Sequence, residues 1–124
     1  MQTMKRGRHG FTLVEIMIEV SIIGLLAAIA IPNFIRARTA AQTSECIDNL
    51  RLIDAAKQQW ALEQHQVGAS LPKATDLQPY LGRGTGTLPW CPADPQGTFT
   101  TSYTIGNCQT PPVCQTFPAT HVLP

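Results

Sequence analysis

Four cysteines, three histidines and eight carboxylates are the first side chains to weigh for catalysis, cross-linking or metal binding in this 124-residue chain. Cys46, Cys91, Cys108 and Cys114 allow three sets of disulfide pairings. No two of them form a Cys-x-x-Cys knuckle, so their spacing argues against zinc and no metal ligand set is assigned. His9, His65 and His121 stand apart from any serine, cysteine or carboxylate grouping that would make a triad, and His65 and His121 read as surface residues. Asp94 alone lies near the C-terminal cysteines, which is too few oxygens for a calcium site. Trp60 and Trp90 read as core or groove residues. The expectation is a protein that is not an enzyme and carries no cofactor.

Glu15 and Glu19 are different, because they sit inside an apolar run. From Phe11 to Ile31 nearly every residue is apolar or small, broken only by Thr12, Glu15, Glu19 and Ser21. As a helix this stretch reaches about 30 Å, enough to cross a bilayer core. A charge within such a span costs about 2.5–3.5 kcal/mol, so Glu15 is expected to be paired or functional, the alternative being a carboxylate that snorkels to the headgroups. Glu19 lies one turn further on the same face, where the two carboxylates repel unless one is protonated or partnered.

The charge distribution orients the span. Lys5, Arg6 and Arg8 precede it, and without the first ten residues six basic side chains face eight acidic ones. Basic residues beside a span stay cytoplasmic, which places the remainder across the membrane, where an oxidising compartment suits the cysteines. A weakly acidic remainder without a basic patch gives no support for nucleic-acid binding, and no nucleic-acid partner is expected. An ordinary secretory signal is disfavoured, since the run exceeds an h-region and no convincing small-residue cleavage site follows it.

The elements that position these residues follow from composition. Pro32 predicts a kink near Leu26–Pro32, yet residues 33–66 contain no further Pro or Gly and favour helix. Cys46, Leu50, Ile53, Lys57 and Trp60 recur on one face, with the Lys57 stem along apolar surface and its ammonium in water. Gly68 ends a predicted helix of about 55 residues. Thr75-Asp76-Leu77 starts a short helix ending at Leu81-Gly82, followed by a flexible turn over Gly82–Thr87. Thr98–Ile105 alternates as a half-buried strand, Gly106-Asn107 suits a turn, and Val113–Thr116 returns as an edge strand limited by Pro111-Pro112. A Cys91–Cys114 disulfide would close that hairpin, leaving Cys46 to meet Cys108 or stay a buried thiol; Cys91–Cys108 is the alternative.

The segment Arg8-His9-Gly10-Phe11-Thr12-Leu13-Val14-Glu15, running without gaps to Ala30-Ile31-Pro32-Asn33-Phe34, resembles the type IV pilin and type II secretion pseudopilin superfamily. Residues 46–63 and the later Trp90-Cys91-Pro92 and Pro112-Val113-Cys114 are similar, more loosely, to small pilin-like proteins of type II secretion. The resemblance implies cleavage between Gly10 and Phe11 by a prepilin peptidase that also N-methylates Phe11. It further implies pairing of the new amine with Glu15 of a neighbouring subunit. Glu19 departs from the pattern, which has an apolar residue there, and is assigned either a neutral state or a share in that contact.

The implied fold is an α+β lollipop. Residues 1–10 are the leader, 11–34 the membrane and filament-core half of the helix, 35–67 its amphipathic half, and 68–124 a small head with a β-hairpin. The implied function is that of a pseudopilus subunit, with a type IV pilus subunit as the alternative and a membrane-anchored exported binding protein as a third reading. The implied partners are the peptidase, copies of the chain and other pilins, an inner-membrane assembly platform, and lipid before assembly. The implied location is the bacterial inner membrane, single-pass, with the head periplasmic.

Overall fold

A computed structural model describes residues 10–82 and 86–124; the basic leader through His9 and the centre of the Gly82–Thr87 turn lie outside the described residues. The architecture is α+β, a long helix followed by a small domain with a two-stranded antiparallel sheet. Helix α1 is Leu13–Glu63, α2 Ala74–Leu77 and α3 Phe99–Ser102, with β1 Tyr103–Thr104 and β2 Val113–Cys114. The chain divides into two compact units, one ending at Ala37 and one spanning Arg38–Pro124.

In the first unit α1 starts from a side-chain cap. The Thr12 hydroxyl accepts the Glu15 backbone N–H at 3.2 Å, satisfying a donor that the first turn leaves without a helical partner. Pro32 lies inside the helix and does not end it. The apolar side chains here are exposed, from Phe11 at 80% and Leu13 at 76% to Ile35, and α1 is long and apolar enough to cross a membrane.

In the second unit α1 ends at Glu63, five residues before the predicted stop at Gly68. His65 adopts φ 51°, while the Gln66 N–H reaches Ala61 O at 2.9 Å and the His65 N–H reaches Leu62 O at 3.4 Å. These bonds form a Schellman cap in which histidine occupies the left-handed position that glycine usually takes. The predicted stripe is the core: Cys46, Leu50 and Ile53 are fully buried, joined by Ala56, Leu77, Leu81, Phe99 and Tyr103. Each fully buried Leu or Ile contributes about 1.5–3 kcal/mol. Trp60 packs partly buried against this core, whereas Trp90 is 53% exposed.

Lys57 corrects the sequence reading. Its ammonium does not reach water but is fully buried, donating to Ile105 O (3.1 Å), Asn107 O (3.1 Å) and Thr110 O (2.5 Å), with Asp54 Oδ1 at 3.5 Å. The loop between β1 and β2 turns its carbonyls inward, and a cation satisfies them better than water can.

The predicted strand Thr98–Ile105 is also corrected. Only Tyr103–Thr104 are strand, paired as Tyr103↔Cys114 and Thr104↔Val113, and the partner strand is Val113–Cys114 where Val113–Thr116 was expected. Residues 99–102 form one helical turn instead, capped by the Thr98 hydroxyl, which accepts the Thr101 N–H at 3.3 Å. The Asp94 carboxylate accepts the hydroxyls of Thr101 at 2.6 Å and Ser102 at 2.7 Å. Such local bonds compete with a sheet ladder. Phe99 and Tyr103 therefore meet across a turn, edge to face with centroids 5.9 Å apart. Helix α2 is shorter than predicted, its Asp76 carboxylate accepting the Lys73 N–H at 2.9 Å, and the chain continues as a turn through Pro79.

Candidate functional site

Gly10, Phe11, Glu15 and Glu19, the residues expected to serve processing and assembly, lie within ten positions around the start of α1. Because Thr12 caps the helix, the Gly10–Phe11 peptide bond stays outside it in exposed chain that belongs to no helix or strand. A peptidase needs such a segment, since a helical peptide bond must first unwind to enter a cleft. A Cβ placed on Gly10 would meet no atom within 4 Å, so the glycine is not required by this fold. Glu15 follows the cap at the third helical position, where the partial positive charge of the helix start favours a carboxylate. Glu15 and Glu19 are both exposed, one turn apart, and neither carboxylate meets a hydrogen-bond or ion-pair partner among the described residues.

The second constellation was not anticipated. All four cysteines are free thiols, so none of the expected disulfides is present. Cys91 and Cys114 are neighbours, but the third and fourth members of their group are Cys46 and His121, and the four donor atoms all lie within 4.8 Å of one another. Cys108 stands apart, its Sγ 3.6 Å from Ser70 O, which leaves both expected pairings through Cys108 without geometry.

His121 is not a surface residue: it is 4% exposed, with Nδ1 3.7 Å from both Cys91 Sγ and Cys114 Sγ. Three separate segments meet α1 here. Cys91 precedes a turn closed by Asp94 N–H to Cys91 O, Cys114 ends β2, and His121 is held by its N–H to Phe117 O at 2.9 Å. The spacing Cys-x22-Cys-x6-His carries no local signal, so only the fold reveals the set.

Burial pushes the Cys46 thiol up, although the Tyr103 hydroxyl beside it acts in the other direction. Burial likewise raises Cys91, against the Ala93 N–H directed at its sulfur, and it raises the Tyr103 hydroxyl. His121 is lowered by the same desolvation and so favours neutral imidazole.

The Prokaryotic N-terminal methylation motif matches residues 5–31. The chain is 49% identical over 56 residues to the type IV major pilin protein of Myxococcus xanthus, covering 45% of this chain and 26% of that protein. It is 37% identical over 84 residues to a fimbrial protein of Pseudomonas aeruginosa, covering 67% and 53%. It is 32% identical over 101 residues to type II secretion system core protein G of Pseudomonas aeruginosa, covering 75% of this chain and 71% of that protein. The chain thus spans about a quarter of the first relative and about half of the second. No solved structure matches it. A methylation motif leading into an exposed apolar helix, and similarity that continues into the small domain, are what this family shares: the chain belongs to the type IV pilin and type II secretion pseudopilin superfamily.

Proposed function

We propose that this chain is a structural subunit of a type II secretion pseudopilus, made as a membrane precursor and polymerised through α1. The observation that carries the choice is the extent of similarity. The alignment with core protein G covers 75% of this chain and reaches into the head, against 67% for the Pseudomonas fimbrial protein and 45% for the Myxococcus pilin. The second reading, a type IV pilus subunit, draws on the higher identity of those two shorter matches.

In this reading residues 1–10 are the leader, 11–34 the membrane and filament-core segment, 35–67 the amphipathic half of the helix, and 68–124 the head. The positive leader holds the N-terminus in the cytoplasm and sends the head to the periplasm. Cleavage after Gly10 leaves the apolar helix on the mature chain and frees an amine at Phe11, one turn from Glu15. The amine of an incoming subunit pairs with Glu15 of the last one added, which fixes axial register. The role is structural, and no catalytic step is assigned to the chain.

Mass spectrometry of the mature protein is expected to find an N-methylated Phe11 at its start. Deleting the gene is expected to stop secretion of folded proteins while leaving surface pili intact. A mature chain that retains residues 1–10 sinks the processing reading, and loss of pili with normal secretion replaces the first function by the second.

A further inference from the structure

We propose that Cys46, Cys91, Cys114 and His121 hold a single structural zinc ion, through three thiolate sulfurs and the imidazole Nδ1. A closed Cys3His set is one of the standard structural zinc arrangements. With zinc–sulfur bonds near 2.3 Å and zinc–nitrogen near 2.05 Å, a tetrahedral ion sets sulfur–sulfur edges at about 3.8 Å and sulfur–nitrogen edges at about 3.6 Å. The donors lie within 4.8 Å of one another, and His121 Nδ1 is 3.7 Å from both Cys91 Sγ and Cys114 Sγ. Sulfur and imidazole donors select zinc over calcium or magnesium.

The surroundings are those of a ligand set. Metal-bound histidine donates its other ring N–H to an oxygen, which fixes the tautomer. Thr43 Oγ1 lies 3.2 Å from His121 Nε2 and itself donates to Thr39 O at 3.0 Å, so a lone pair faces Nε2. That assigns the proton to Nε2 and leaves Nδ1 bare toward the thiols. Tyr103 Oη accepts the Asn49 amide N–H at 3.1 Å, freeing its own hydrogen for the Cys46 sulfur. The Cys91 N–H is held by Ser102 Oγ at 3.0 Å.

Binding balances simply. Zn²⁺ replaces three thiol protons, which pass to solvent, and the neutral imidazole completes a site of net charge −1 beside the Tyr103 hydroxyl. Nothing is oxidised. A disulfide between any two of the three cysteines would instead leave a third buried thiol and Nδ1 without a partner.

The test uses the full chain extracted in detergent. Elemental analysis is expected to find one zinc per chain, and denaturation with chelator to release four alkylatable thiols. His121→Ala and Cys114→Ser are expected to lose the zinc, whereas Cys108→Ala keeps it. Should a ligand variant fail to fold, the wild-type chain still decides: cobalt added after chelation must give the intense tetrahedral thiolate spectrum and be displaced by zinc. Thr43→Val, which removes only the oxygen behind Nε2, is expected to weaken zinc about 10- to 100-fold in competition with a chromophoric chelator. A metal-free chain without that cobalt spectrum overturns the proposal. So does a mass lower by two hydrogens with Cys91 joined to Cys114, or zinc retained by both His121→Ala and Cys114→Ser.

Discussion

Residues 13–37 and 38–63 belong to one helix and solve opposite problems. In the first stretch the large apolar side chains are exposed, and in the second Cys46, Leu50 and Ile53 are fully covered by the chain's own later segments. An apolar face that its own chain covers makes a domain. One that it leaves open is completed by lipid or by neighbouring helices. The difference teaches that stability and assembly are separable here, so substitutions in the two stretches must fail differently.

The sharpest break comes from Lys57→Met. It keeps an apolar stem but strands the carbonyls of Ile105, Asn107 and Thr110, and is expected to cost about 3 kcal/mol of head stability. Denaturant unfolding followed by tryptophan fluorescence measures it, with the N-terminus of the mature chain expected to be the same as in the wild type. A loss within about 0.5 kcal/mol would mean the loop re-forms its bonds with water.

Glu15→Leu is the converse. A hydrogen bond to a charged group contributes about 1.5–3 kcal/mol, so sheared filament is expected to fall about 10- to 100-fold while head unfolding stays unaltered. Normal polymer from Glu15→Leu would remove the carboxylate from assembly. In the same assay Glu19→Val separates a contributing residue, if polymer falls, from a tolerated one.

The smallest effect is a pH dependence confined to the head. The hydroxyl of Thr101, the Gln96 N–H and the Ser102 hydroxyl hold Asp94 below its ordinary 3.8. A lowered folded value means the unfolded chain takes up the proton first. The stabilisation is therefore present above 3.8 and lost as the pH falls below it toward the lowered value. Asp94→Asn is expected to flatten the unfolding profile in that window, and an unchanged profile would assign the acid loss to other carboxylates.

What was legible in the sequence was whatever lies along one line of the chain. The apolar run and the face carrying Cys46, Leu50 and Ile53 are each fixed by spacing within a few helical turns. The alternation over Thr98–Ile105 misled because Phe99 and Tyr103 also sit four apart, so one pattern serves a strand or a turn. Threonine hydroxyls and Asp94 decided for the turn. Lys57 and His121 were misjudged for another reason: their partners are loops whose positions no local period encodes. His121 meets Thr43 across 78 residues and Cys91 across 30.

That 78-residue separation between Thr43 and His121 has a consequence in time. A ribosome adds about 5–20 residues per second, so roughly 4–16 s pass between the appearance of the two. For all but the first ten residues of that interval the stripe at Cys46, Leu50 and Ile53 is already made, while the segments that will roof it are incomplete. Newly made chains therefore carry two sticky surfaces at first and one later, and a chaperone that recognises apolar helix should release the second half of α1 well before the first.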